Sequence, residues 1–247
     1  MTGNSSGKLR VLVIATTFPK WENDQEPRFV YDLCRNLSDQ VDIRVLAPDA
    51  PGAKEQETWG KMKIIRFPYF YPRRLQNLCY DGGIIPKLKS NWLARLQLPF
   101  FLFFLFFRLI KITGEIRFDL IHCHWLIPQG FFCALIKLLR GTPYLLTAHG
   151  GDVFSFKCIL GVSNLIKFAL KHSTLCTVNS QATQNQILKS HKKSAIKVVP
   201  MGVDLEQFHP DNYNVKIKDS VGKESFFLLG VGRLAEKKGI KYFAIGK

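Results

Sequence analysis

The chain has 247 residues, room for one large domain or two small ones, and its 47% hydrophobic and 22% charged content is that of a globular protein with a sizeable core. A formal net charge of +16 favours anionic partners: nucleic acid, a membrane surface or phosphorylated substrates. The Lys and Arg residues are scattered and carry no RNA-binding or helix-turn-helix signature, which argues against nucleic acid.

In chain order, residues 9–16 form a β-branched apolar run of strand length, followed by a polar loop. Residues 27–37 predict a helix with Pro27 at its first position and Phe29, Val30, Leu33, Cys34 and Leu37 on one face. Strands are expected over 41–47 and 62–67, with residues 68–90 irregular. An apolar helix over 91–113, closed by Gly114, precedes a strand at 118–122 and a helix at 128–139 that ends at Gly141. A strand at 144–148 runs into a glycine-containing loop. Next come a helix at 160–171, a strand at 175–178, a helix at 181–189 and a strand at 196–199. This alternation predicts an α/β, doubly wound Rossmann-like parallel sheet over residues 1–212. A polar stretch over 212–224 then separates it from a second Rossmann-like domain over 213–247, represented only by its start: an apolar strand at 226–231, a glycine turn and part of a helix.

The six cysteines show no CxxC pair, and Cys34, Cys123, Cys133 and Cys176 lie in apolar runs as small core residues, which indicates a reducing cytosol. The first residues lack the apolar core of a secretory signal, so a cytoplasmic location is expected. The segment 96–112 is shorter than the roughly 20 apolar residues of a spanning helix and is interrupted by Pro99 and Arg108. Two readings stand for it: a helix buried in the domain, or one with an extra apolar face that dips into an anionic membrane at the inner face of the cytoplasmic membrane.

After the first strand a dinucleotide-binding domain would show GxGxxG, but here Thr16-Thr17-Phe18-Pro19-Lys20-Trp21 follows and no glycine comes before Gly52, which excludes NAD or FAD. Ligands of open α/β sheets bind beyond the carboxyl ends of the strands, and three such ends carry polar residues: Thr17, His124 and His149-Gly150-Gly151-Asp152. His149 is the foremost functional candidate, with the two glycines allowing close backbone approach to a ligand. His122 and His124 share one strand face, yet no carboxylate cluster accompanies them; no metal is expected, with His124 lining the cleft and His122 a satisfied core residue. Gly202 and Asp204 follow the last strand of the first domain as an interdomain crossing. Gly232, Arg233 and Lys238 sit between an apolar strand and a helix start, a setting suited to a diphosphate.

Together these motifs resemble glycosyltransferase family 4. The matching segments are Val13-Ile-Ala-Thr-Thr-Phe-Pro19 with Glu26-Pro-Arg-Phe-Val30, Phe118-Asp-Leu-Ile-His-Cys-His-Trp125, Thr147-Ala-His-Gly-Gly-Asp152, Val199-Pro-Met-Gly-Val-Asp-Leu-Glu-Gln-Phe208 and Gly230-Val-Gly-Arg-Leu-Ala-Glu-Lys-Lys-Gly239. The resemblance implies a retaining enzyme of GT-B fold with two facing Rossmann-like domains, the first holding a saccharide or lipid-linked acceptor and the second a UDP- or GDP-linked sugar. It implies Arg233 and Lys238 on the donor diphosphate, His149 at the donor sugar, no resident cofactor, and acceptors that belong to the cell envelope. The sequence departs from the family in carrying Trp21-Glu-Asn-Asp-Gln25 where many members have a glycine pair, and in ending before the paired glutamates that hold the donor. About 30 residues of a donor domain that normally needs on the order of 100 or more are present, so little activity is expected of residues 1–247 alone. The alternatives are a non-catalytic membrane- or partner-binding remnant, and another GT-B enzyme such as a nucleotide-sugar epimerase or a phosphorylase.

Overall fold

The computed structural model describes residues 7–24, 27–80, 82–155, 161–191, 195–212, 230–231, 239–240 and 242. The chain divides into two compact units, Met1–Gly202 and Val203–Lys247. The described elements of the first unit are β1 (Arg10–Ile14), α1 (Phe29–Leu37), β2 (Asp42–Pro48), β3 (Gln56–Trp59), β4 (Met62–Phe67), α2 (Ile84–Ser90), α3 (Trp92–Glu115) and β5 (Leu120–His124). They continue with α4 (Phe131–Arg140), β6 (Tyr144–Ala148), α5 (Gly150–Ser155), α6 (Val162–His172), β7 (Leu175–Val178), α7 (Gln181–Ser190) and β8 (Ile196–Val198).

The strands form one eight-stranded sheet in the order β3-β4-β2-β1-β5-β6-β7-β8. Every pairing is parallel except the β3–β4 hairpin at one edge. The doubly wound α/β fold expected from the alternation of elements is therefore present. Helices cover both faces, so the central strands are apolar on both sides. Leu12 and Ile14 of β1 enter the core shared with α3, α4 and α6, while Val11 and Val13 enter the one shared with α1. In that second core Phe18 stacks on Trp59 at 5.7 Å and Tyr31 meets both rings edge-on.

Several boundaries depart from expectation for local reasons. β3 was not foreseen because Gln56-Glu57-Thr58 is polar; it is an edge strand, joined to β4 by a two-residue turn in which Gly60 takes φ +57°. Residues 84–90, expected to be irregular, are helical, with Pro86 in the first turn where its missing N–H is no loss. β5 runs two residues later than expected. Asp119 exchanges bonds with Arg10 at the strand's start, and pairing with β6 continues to His124 opposite Thr147. Other ends obey their signals: Ser180 caps α7 through Thr183 N, and Gly141 closes α4 in the left-handed region at φ 74°.

Two buried polar clusters organise the loops. The Arg66 guanidinium, 1% exposed, donates to the carbonyls of Pro19 (2.6 Å) and Lys20 (2.9 Å) and to the Tyr80 hydroxyl (3.1 Å). It thereby ties the loop after β1 to β4. Asp49, wholly buried, accepts from Arg73 Nε and Nη2 at 2.7 Å each and from Gln76 Nε2 at 2.7 Å. That clamp holds the 69–78 segment against the end of β2. All the described cysteines, Cys34, Cys79, Cys123, Cys133 and Cys176, are buried free thiols.

In the second unit, the Asp204 carboxylate accepts from the N–H groups of Glu206 and Gln207, both at 3.0 Å, and so caps the turn that follows. A single 3-10 turn, Pro210–Asn212, comes next.

Candidate active site

Strand order reverses between β1 and β5: from β1 the chain moves out to β2, and from β5 it moves out the other way to β6. The crevice beyond the carboxyl ends of these strands is the place where open α/β sheets take their ligands. Thr17 lies half-buried in the bend just after β1. Trp125 follows β5, and His149 follows β6.

Trp125 has φ 72°, the one positive value among described non-glycine residues. Such a conformation costs of order 1–3 kcal/mol and persists where the surroundings impose it. Here Trp125 N donates to Thr147 O at 2.9 Å, and the indole lies 5.0 Å from the His149 ring. Phe29, the first residue of α1, closes the other side at 5.0 Å. The His149 imidazole is thus held between rings supplied from both sides of the switch point.

Behind it stands His124, fully buried, with Nδ1 3.0 Å from His149 Nε2 and the two rings stacked at 13°. One proton must lie between these nitrogens. The remaining nitrogen of His124, Nε2, is buried and has no partner among the described residues. An unpaired buried N–H is rarer and costlier than an unpaired acceptor. The proton therefore sits on His124 Nδ1 and is donated to His149 Nε2, which leaves neutral His149 with its own proton on Nδ1. That atom bonds to no described residue and is the ring's donor for a ligand. Burial keeps the imidazoles neutral: it lowers His149 to about 4, and with help from His122 and His149 it holds His124 well below the usual histidine value.

The arrangement revises the expected role of His124, which supports His149 from behind and does not line a cleft. The reason is its place as the last residue of β5, still paired with Thr147 of β6 and fully buried. His122 is a satisfied histidine, its Nε2 2.8 Å from Thr147 Oγ1, which continues to Thr177 Oγ1 at 2.8 Å. Burial, and secondly His149, lowers His122 to about 4. Among the described residues no group of three or more His, Cys, Asp or Glu could hold a metal ion.

Gly150 and Gly151 open α5 where a loop was expected, because a glycine pair disfavours helix in sequence terms. The space that a side chain would occupy at Gly151 is open to at least 4 Å. Asp152 turns inward, 3% exposed, and its Oδ2 accepts from Leu126 N at 2.8 Å, joining α5 to the segment after β5. Burial pushes its carboxyl up to about 7, against the pull of the Leu126 N–H and other backbone donors. Gly202 is exposed at the end of the first unit. Gly232, Arg233 and Lys238 lie outside the described residues, as does most of the apolar strand expected before them.

The Asp152 shift has a testable sign. A carboxyl raised in the folded state adds stability that is complete below its unfolded value near 4 and is lost as pH rises through about 7. The lowered histidines act oppositely, losing stability as pH falls from about 6.5 toward 4. Asp152→Asn keeps an acceptor for Leu126 N and removes the carboxyl's titration. Its melting temperature should therefore gain on the parent's as pH is raised from about 4 to about 7; parallel curves in thermal melts would exclude a raised Asp152.

The family model for glycosyltransferase family 4 matches residues 27–207, which include Phe29, His124, Trp125, His149 and Asp152. The chain belongs to glycosyltransferase family 4. It is 32% identical over 123 residues to an uncharacterized glycosyltransferase of Methanocaldococcus jannaschii, a match covering 49% of this chain and 31% of that protein. It is also 29% identical over 129 residues to TuaC of Bacillus subtilis, a glycosyltransferase assigned by name to teichuronic acid biosynthesis, covering 49% of this chain and 32% of that one. The match spans about a third of the length of these curated relatives. Among solved structures, the N-terminal domain of a trehalose-6-phosphate phosphatase of Candida albicans aligns with TM-score 0.63 at 13% identity, over 89% of this chain and 55% of that one. At that identity the likeness shows the fold alone.

Sequence reasoning singled out His149 and left out much of what surrounds it. Phe29 and Trp125 each stood inside a quoted motif, but the rings' convergence needs the tertiary fold. Arg66 read as an ordinary strand residue, and nothing in its sequence neighbourhood signals the loop it binds.

Proposed function

We propose that this protein is the acceptor-side part of a retaining glycosyltransferase. It would move a sugar from a nucleotide-diphosphate sugar, UDP- or GDP-linked, to a saccharide or lipid-linked acceptor of the cell envelope. The observation that carries the reading is the His149 imidazole, caged at the switch point with a ring nitrogen that bonds to none of the described residues. A neutral N–H there suits a sugar hydroxyl or the oxygen that gains charge as the glycosidic bond to the diphosphate breaks. Thr17 and the open backbone at Gly151 would border the same cleft. In this reaction the acceptor hydroxyl forms the new bond to the anomeric carbon, the diphosphate leaves with the bonding pair, and the hydroxyl proton passes to the leaving phosphate. Arg233 and Lys238, with the Gly232 turn, would neutralise that phosphate and so do the work of a cation. The cell-envelope acceptor is supported by the name of the Bacillus subtilis relative.

The test is sugar transfer by the complete gene product from labelled UDP- and GDP-sugars, with Arg233→Ala and Lys238→Ala compared with the parent. Each substitution should lower kcat by about a hundredfold or more. Transfer indifferent to both would remove their assigned roles, and failure to transfer from any nucleotide sugar would overturn the reading.

A further inference from the structure

Helix α3 is the one described helix long and apolar enough to cross a membrane, and it is only partly used by the core. Over the most apolar 18 of its 24 residues the mean hydropathy is 1.8, and 28% of that window is buried. The buried set is Ala94, Gln97, Phe101, Leu105, Leu109, Ile112 and Thr113, of which Phe101, Leu105, Leu109 and Ile112 join the core beneath the sheet. Gln97 fixes the helix by donating to Leu75 O (2.7 Å) and accepting from Asn77 N (3.2 Å). Such a face cannot also meet lipid, so α3 does not span a bilayer in this fold.

The exposed set is different in kind. Trp92, Leu96, Phe100, Phe103, Phe104 and Phe107 are 42–73% exposed, and at about 100° per residue they share an arc of about 120° opposite the buried face. A soluble surface seldom leaves so many large aromatics contiguous and uncovered. From Gly82 to Gly114 there is no acidic residue, while Lys87, Lys89, Arg95, Arg108 and Lys111 are basic. Glu115 closes the helix as its one carboxylate, 3.8 Å from Lys111; toward the Trp92 end the apolar face is rimmed by cations, which matches a bilayer surface with anionic headgroups. A second copy of this face would bring no carboxylate to Lys87, Lys89 or Arg95.

We propose that the Trp92–Phe107 face of α3 docks on an anionic membrane, its aromatic rings in the acyl boundary and its Lys and Arg at the headgroups. The orientation follows from the fold. As a crossover helix α3 runs opposite to the strands, and Phe101 packs on Phe67 at the carboxyl end of β4. The Trp92 end therefore lies at the same edge of the sheet as His149, so docking brings that edge toward the bilayer. This deepens the proposed function by setting the acceptor at the membrane, but the surface is testable without any sugar.

The test is flotation of the complete gene product with phosphatidylcholine vesicles, with and without phosphatidylglycerol, in the absence of nucleotide sugar. Binding should require the anionic lipid and fall with salt. Phe103→Glu with Phe107→Glu should weaken it at least about tenfold with melting temperature and circular dichroism unchanged, since both side chains are exposed. Lys87→Gln with Lys89→Gln should weaken it through the charge term alone. No binding, or binding unaffected by the Phe substitutions, overturns the proposal. A lipid-free dimer dissolved by those same substitutions would overturn it in favour of a second copy as the occupant. Sugar transfer to a soluble acceptor analogue should survive all four changes, which separates failure here from failure of the catalytic reading.

Discussion

In the proposed sugar transfer by the complete gene product, His149→Ala should lower kcat by about two to three orders of magnitude, with a much smaller change in the KM for the nucleotide sugar. One well-placed donor that acts on charge developing in the transition state has about that effect. The substitution also leaves His124 Nδ1–H without its acceptor inside the protein, a cost of about 1–3 kcal/mol, so melting curves must accompany the kinetics. A readout that a merely structural residue would not move is the tautomer. Nitrogen-15 spectra of the parent should show His149 protonated at Nδ1 and bare at Nε2, because His124 donates to it at 3.0 Å. His124→Leu should release that preference and reduce kcat while sparing KM. Spectra with the proton on His149 Nε2 would sink the assignment, as would a His149→Ala enzyme of near-parental rate.

Arg73→Ala carries the largest expected loss of stability, about 3–5 kcal/mol, because it strips a fully buried carboxylate of its cation. Gln76 Nε2 alone would remain on Asp49. The Arg73 side chain is 36% exposed while that of Asp49 is fully buried, so the two halves of the pair are unequal. Removing the cation strands a charge, whereas removing the anion frees a guanidinium that can reach water. Asp49→Asn in the Arg73→Ala background should therefore recover part of the loss. Denaturant unfolding of the two single variants and the double variant tests this. An Arg73→Ala change below about 1 kcal/mol would place the pair with ordinary surface ion pairs.

The parts of the fold legible in the sequence are those where local chemistry and tertiary environment demand the same thing. The strands Met62–Phe67, Tyr144–Ala148 and Leu175–Val178 fall where their apolar runs predict, since each is flanked by a strand on both sides and most of its apolar residues are buried. Elements were missed where burial is one-sided or comes from elsewhere. The edge strand Gln56–Trp59 is polar because one side of it meets water. The glycine pair after Ala148 becomes helical because Asp152 is drawn inward to Leu126 N, against the propensity of glycine. Similarly, His124 read as a cleft residue because a histidine near a strand end ordinarily is one. Two more residues of parallel pairing put it in the interior.

By itself the sequence determined the doubly wound α/β class, the family through its ordered motifs, and His149 as the residue to watch, because these depend on patterns only a few residues long. Only the tertiary structure decided that Phe29 from α1, and His124 and Trp125 from the end of β5, converge on that imidazole, that Arg66 binds a loop 46 residues before it, and that one side of the phenylalanine-rich helix is left bare. Such facts depend on which distant segments the sheet order brings together, and on how much of a helix the core can cover.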